Sequence, residues 1–129
     1  MARTNVPLTK LTANSGNVAP STTALDATNG HNIALASTAI PAQAGSELLV
    51  LVVNNTFAGS KTVTVKAGAN PPAQRAGLGD LTVTLTQNQT AYIGPLESQR
   101  FYQADGSINV DMAAGTTGTI LAVLLPRAV

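Results

Sequence analysis

The sequence predicts an all-β protein: a single-domain β-sandwich, jelly-roll-like, of about eight strands, preceded by an extended N-terminal arm. Three observations carry this. Short apolar or alternating runs recur along the chain, with turn residues at intervals of roughly 8–12 positions. No stretch repeats its apolar residues at the period of about 3.6 that marks an amphipathic helix. The composition is rich in Ala, Thr, Val, Leu and Asn, and its only aromatics are Phe57, Tyr92, Phe101 and Tyr102, which suits small pleated strands joined by tight turns. At 129 residues the chain fits one domain of ordinary size, able to bury about two thirds of its unfolded surface without disulfides or metal.

Residues 1–21 read as the arm and 22–129 as the sandwich. In Met1–Ser21, Pro7 and Pro20 bracket a Thr/Asn/Ser-rich run whose few apolar anchors are Val6, Leu8 and Leu11. That is too little apolar surface to offset its own ordering, so if ordered it must be held by contacts outside itself. Ala24-Leu25 and Ile33–Ala36 read as short strands around the turn cluster Asp26–Asn32, in which Asn29-Gly30 tolerates positive φ. Leu48–Val53 is the organising strand: six aliphatic residues without interruption, fenced by Gly45-Ser46-Glu47 and Asn54-Asn55, predicting a central strand covered on both faces. Across Thr56–Ser60 the chain is expected to turn back as a hairpin into Lys61–Lys66, with Val63 and Val65 on one face.

Gly68–Gly79 reads as a long Pro-containing loop, of the kind that is either functional or disordered. Leu81–Thr86 alternates cleanly, and a turn at Gln87–Gln89 leads to Thr90–Ile93, which Gly94-Pro95 ends. Asp105-Gly106 predicts a second hairpin between Ser98–Gln103 and Ser107–Met112. Thr119–Leu125 is again continuously aliphatic and predicts a second central strand.

For chemistry the sequence offers little. Charged residues are 10% of the chain and the net charge is +1, so no field gathers nucleic acid. Zero cysteines exclude a disulfide framework, a Cys-bearing zinc site and a thiol nucleophile. No run reaches the roughly 18 apolar residues of a membrane helix, and Met1–Lys10 lacks the apolar core of a secretory signal, so neither membrane nor Sec export is expected. His31, the only histidine, reads as a solvated turn residue without a catalytic partner. Gly77-Leu78-Gly79 is not a nucleotide loop, since Thr82 occupies the third glycine position and a strand follows. Asp105, Ser107, Asn109 and Asp111 would align oxygens on one strand face, but Thr116 stands where a calcium loop needs its bidentate acid. The sequons at Asn54 and Asn88 match a short pattern that an Asn/Thr-rich chain produces by chance. No catalytic, cofactor or metal residue is assigned, and no enzymatic activity is expected.

In the C-terminal half, Tyr92-Ile93-Gly94-Pro95, then Phe101, then Ala104–Asp111, then Gly115-Thr116-Thr117-Gly118 and a final aliphatic strand form a pattern, with Asp26–His31 as an earlier element. This pattern resembles the small capsid decoration (cement) and virion structural proteins of tailed bacteriophages, over about two thirds of the chain and on strand and turn patterns alone. The resemblance implies a β-sandwich on the capsid exterior, with the major capsid protein as partner and stabilisation of the assembled head as its function. A phage tail protein, or a receptor- or carbohydrate-binding module, is the alternative, and a hydrolase would need His31 to meet a nucleophile in space. A chain 44% hydrophobic with so few charges is expected to self-associate, as a trimer, with a dimer the alternative. The candidate partner-binding residues are Arg3, Val6, Leu8, Lys10 and Leu11 in the arm, and Pro71, Pro72 and Arg75 in the long loop.

Overall fold

The computed structural model describes residues 2–11, 16, 19–34, 49–68, 77–96, 98–101, 103 and 107–125. Among these the chain forms β1 (Thr4–Asn5), β2 (Leu8–Lys10), β3 (Thr23–Ala24), β4 (His31–Ala34) and β5 (Leu49–Asn55), then β6 (Lys61–Val65), β7 (Leu81–Leu85) and β8 (Thr90–Ile93). One helical turn, α1 (Ser98–Phe101), precedes β9 (Ser107–Met112) and β10 (Gly118–Leu124). The strands make two sheets, ordered β1-β4-β9-β6-β7 and β2-β10-β5-β8, with β3 also paired to β10. The fold is all-β, two stacked sheets forming a sandwich. From β3 onward the strands nest antiparallel as β3·β10, β4·β9, β5·β8 and β6·β7, the outermost pair enclosing the next.

The two aliphatic runs lie side by side at the centre of the second sheet, β5 and β10 pairing over seven residues from Gly118↔Asn55 to Leu124↔Leu49. Both alternate. Leu49, Leu51, Val53, Ile120, Ala122 and Leu124 point into the core, while Val50, Val52, Leu121 and Val123 stay half-buried on the outside. The expectation of strands covered on both faces is therefore corrected: the runs are central, but their outward halves are aliphatic without being fully buried. From the first sheet Ile33, Val63, Val65, Leu85, Ile108 and Val110 complete the core, each buried by the inward half of a two-residue period.

The expected hairpin from Leu48–Val53 into Lys61–Lys66 does not form, because β5 and β6 belong to opposite sheets. Asn55 sits at the crossing. Its side chain is 0% exposed; Nδ2 donates to the carbonyls of Gly59, Leu85 and Thr86 at 3.0, 3.1 and 3.2 Å, and Oδ1 accepts from the Phe57 N–H. The side chain thus ties the end of β5 to the turn that follows it and to the end of β7 in the opposite sheet. Across the same corner, Gly118 sits at φ +136°, where a Cβ would run into the Asn54 carbonyl, so only glycine fits. The second expected hairpin is also absent, since residues 98–101 form α1, which seats Phe101 in the core. Its turn at Asp105-Gly106 lies outside the described residues.

The N-terminal segment is extended, and its own domain holds it. β1 runs parallel to β4 with Thr4 opposite His31, and β2 runs parallel to β10 with Leu8 opposite Ala122. Val6, between them, is 1% exposed as the chain steps from one sheet to the other. The N–H groups of Thr4, Val6 and Leu11 donate to the carbonyls of Gly30, Asn32 and Leu124 at 3.0, 2.9 and 2.9 Å. Edge pairing supplies what the segment's few apolar residues lack, and it covers the outer edges of β4 and β10.

Candidate interaction surfaces

The densest polar cluster surrounds this N-terminal clamp. Asp26 opens the turn before β4, and its carboxylate accepts from the Thr4 hydroxyl at 2.6 Å and from the Thr28 and Asn29 N–H groups at 3.1 and 3.0 Å. The Thr4 hydroxyl, then the Asn29 N–H, lower its pKa to about 2. His31 is 0% exposed, correcting the solvated reading. Its Nε2 accepts from the Asp26 N–H at 3.0 Å and its Nδ1 lies 3.2 Å from the Thr4 carbonyl, an arrangement that only the neutral Nδ1–H tautomer satisfies. Burial lowers its pKa below the usual histidine value. Both ring nitrogens are occupied by backbone, so this histidine fastens β1 to the turn before β4.

Beside the cluster lies an open cleft of about 360 Å³ lined by Arg3, residues 27–30, Asp111 and Met112. The Arg3 guanidinium pairs with the Asp111 carboxylate and reaches the Val110 carbonyl at 3.4 Å. These two charges neutralise each other across Gly30, where φ is +75° and a Cβ would lie 3.0 Å from the Val110 carbonyl and against both charged groups. Asn109, the next oxygen along β9, accepts from Asn32 Nδ2 at 3.1 Å. Asn109 and Asp111 thus bond to protein partners, Ser107 is buried, and Asp105 lies outside the described residues.

The partner-binding residues expected in the N-terminal segment meet their own domain. Val6 is core, Leu8 packs against the core, Leu11 is half-buried, and Arg3 holds Asp111. Lys10 pairs through its backbone with Leu124. These residues pair with or pack on their own sandwich, and Val6, a candidate partner-binding residue, is corrected to a core residue whose side chain has no surface left to offer. Pro71, Pro72 and Arg75 lie outside the described residues.

What the sequence reading missed is a difference between the two outer faces. On the first sheet, register lays Asn5, Asn32 and Asn109 in one row and Thr82, Thr64 and Asp111 in another. On the second, Tyr92, Val52 and Leu121 form one row across β8, β5 and β10, and Val50 stands opposite Val123. A polar row of Thr90, Asn54 and Thr119 closes one end, with Asn54 Nδ2 donating to the Thr90 hydroxyl at 2.9 Å. No residue on these outward positions of β8, β5 and β10 is charged. Tyr92 is 78% exposed at the β8 edge. The signal was present in the sequence, since an aliphatic run without alternation puts apolar residues on both faces of its strand. Comparison of the chain with protein-family models, curated proteins and solved structures gives no match.

Proposed function

We propose that this chain is a non-enzymatic structural protein of a phage virion, a decoration or cement protein that binds the outside of an assembled head through protein contacts. The observation that carries the reading is the uncharged aliphatic outer face of the second sheet. A solvated antiparallel sheet normally turns polar residues outward, and a face that does not is suited to be covered by protein. The nested strand pairing supports it too: counting β3 as the first of eight, we read the orders 1-8-3-6 and 2-7-4-5 as jelly-roll-like, an architecture that capsid and lectin domains share. The virion assignment itself rests on the sequence resemblance. In a test, the purified chain is centrifuged with heads assembled from the major capsid protein of a candidate phage. Co-sedimentation at micromolar concentration, with a raised temperature of head disruption, is the expected result, and a chain left in the supernatant at tens of micromolar overturns the reading. Tyr92, open on the β8 edge, favours a carbohydrate-binding module as the second reading, for which saturable glycan binding lost in Tyr92→Ala is the sign.

A further inference from the structure

We infer that the outer face of the second sheet meets the same face of a second copy of this chain across a two-fold axis, with Val50, Val52, Leu121 and Val123 at its centre. The inference rests on the reading that the chain works through protein contacts; it gives the face to a second copy while the chain is free, so that a head bound through the same face would compete with it.

Three properties point to a second copy. The outward positions of β8, β5 and β10 carry no charge, so the face offers nothing to a partner chosen by charge complementarity and meets its own image without like-charge repulsion. Shape is matched by construction, because two copies of one sheet share the same twist and stack aligned at about −30° with interdigitating side chains. The face is also bounded as a contact should be, with an aliphatic centre, the Thr90, Asn54 and Thr119 row at one end, and Tyr92 at the edge with most of its ring left to cover.

Symmetry then sets the number. A face that packs on itself is isologous and closes at two copies, so the contact makes a dimer and not the trimer that composition suggested. Size sets the strength. Strands of seven, seven and four residues, at about 3.4 Å per residue and about 4.8 Å apart, give a flat footprint of about 300 Å². That is below the roughly 800 Å² per partner of a standard interface, so the dimer is weak and concentration-dependent.

Light scattering of the full chain across about 1 to 300 µM tests this. The expected result is a mass rising from 13.0 kDa towards twice that value, with Thr64→Lys on the other outer face behaving as wild type. Leu121→Lys should stay at the chain mass with its thermal transition within a few degrees of wild type, and mixing it with Leu121→Glu should restore the dimer. Where the lysine does not fold, Leu121→Thr, whose β-branched side chain suits a strand, should weaken dimerisation about tenfold or more. A wild-type mass constant at 13.0 kDa, a trimer mass, or a dimer that survives both Leu121→Lys and Val52→Asp overturns the inference. Head co-sedimentation separates this from the functional proposal. A monomer that binds heads overturns the dimer and leaves the decoration reading standing, whereas a dimer that ignores heads supports the inference and overturns that reading.

Discussion

The two outer faces of this sandwich are built on the same backbone pattern and do opposite things. Both belong to antiparallel strands whose inward residues fill one core. The first sheet turns Asn32, Asn109, Thr64, Thr82 and Asp111 outward, which keeps it compatible with water and fixes it with local hydrogen bonds and the Arg3 ion pair. The second turns Val50, Val52, Leu121 and Val123 outward, which gives nothing to a water-facing surface. The difference teaches that here the hydrophobic pattern specifies more than the fold: one sheet carries the apolar residues its core needs, and the other carries about twice as many.

The largest effect that sharpens this comparison lies within β5 and β10. Leu51 is buried and Leu121 is half-buried on the outer side beside it, Leu121 pairing with the next residue, Val52. Leu51→Ala should cost about 3 kcal/mol through lost transfer energy and a cavity, lowering Tm by about 10 °C. Leu121→Ala should cost less than about 1 kcal/mol in the monomer. Thermal unfolding at about 1 µM, where the weak dimer is dissociated, measures both. Equal losses would mean that the outer face of the second sheet is as enclosed as the core.

Individual strands were legible in the sequence because each carries its own burial pattern. The unbroken aliphatic runs marked β5 and β10 as central, and clean alternation marked β7, with Leu85 inward. Sheet membership was not legible, because it depends on where the chain goes after each strand. Thr56–Ser60 has the residues of a hairpin turn, yet the chain crosses there to the other sheet, with the Asn55 side chain bonded to both sides of the corner. The clamp was hidden for a related reason: Thr4–Asn5 and Leu8–Lys10 are held mainly by backbone pairing, which leaves no compositional trace. His31 looked solvated because its neighbours are turn residues, whereas the backbones of Thr4 and Asp26 enclose it. The aliphatic outer face was visible but misread, since a residue apolar on both sides of a strand fits cover from either its own chain or another molecule.

Acid should act on the edge of the first sheet before the centre of the second. His31 has a folded-state pKa lowered from 6.5, chiefly by burial, so its contribution is full above 6.5 and is lost as pH falls below that value and the unfolded chain binds the proton more readily. Asp26, lowered from 3.8 to about 2 by the Thr4 hydroxyl first, adds stability that is present above 3.8 and lost as pH falls towards 2. Stability should therefore decline in two steps on acidification. Amide exchange should rise first at Thr4 and Val6, which bond to Gly30 and Asn32, while the β5·β10 ladder stays protected. Uniform loss of protection across both sheets would show that the clamp is not the acid-sensitive part.

The smallest effect separates the faces by salt. Arg3 and Asp111 have side chains 28% and 42% exposed, so their pair is partly solvated and should be worth at most about 1 kcal/mol. A double-mutant cycle with Arg3→Ala and Asp111→Ala in thermal unfolding should give a coupling of that size. It should shrink in 1 M NaCl, where the screening length falls to about 3 Å. Some loss in the Arg3→Ala single variant should survive salt, because the guanidinium also meets the Val110 carbonyl. Self-association through the second sheet has no charge to screen, and sulfate, which strengthens apolar burial, should favour it. A sulfate series, which both screens charge and strengthens apolar burial, should thus weaken the coupling in the cycle and raise the mass in light scattering. A dimer that dissociates in high salt would place its contact on the charged first sheet.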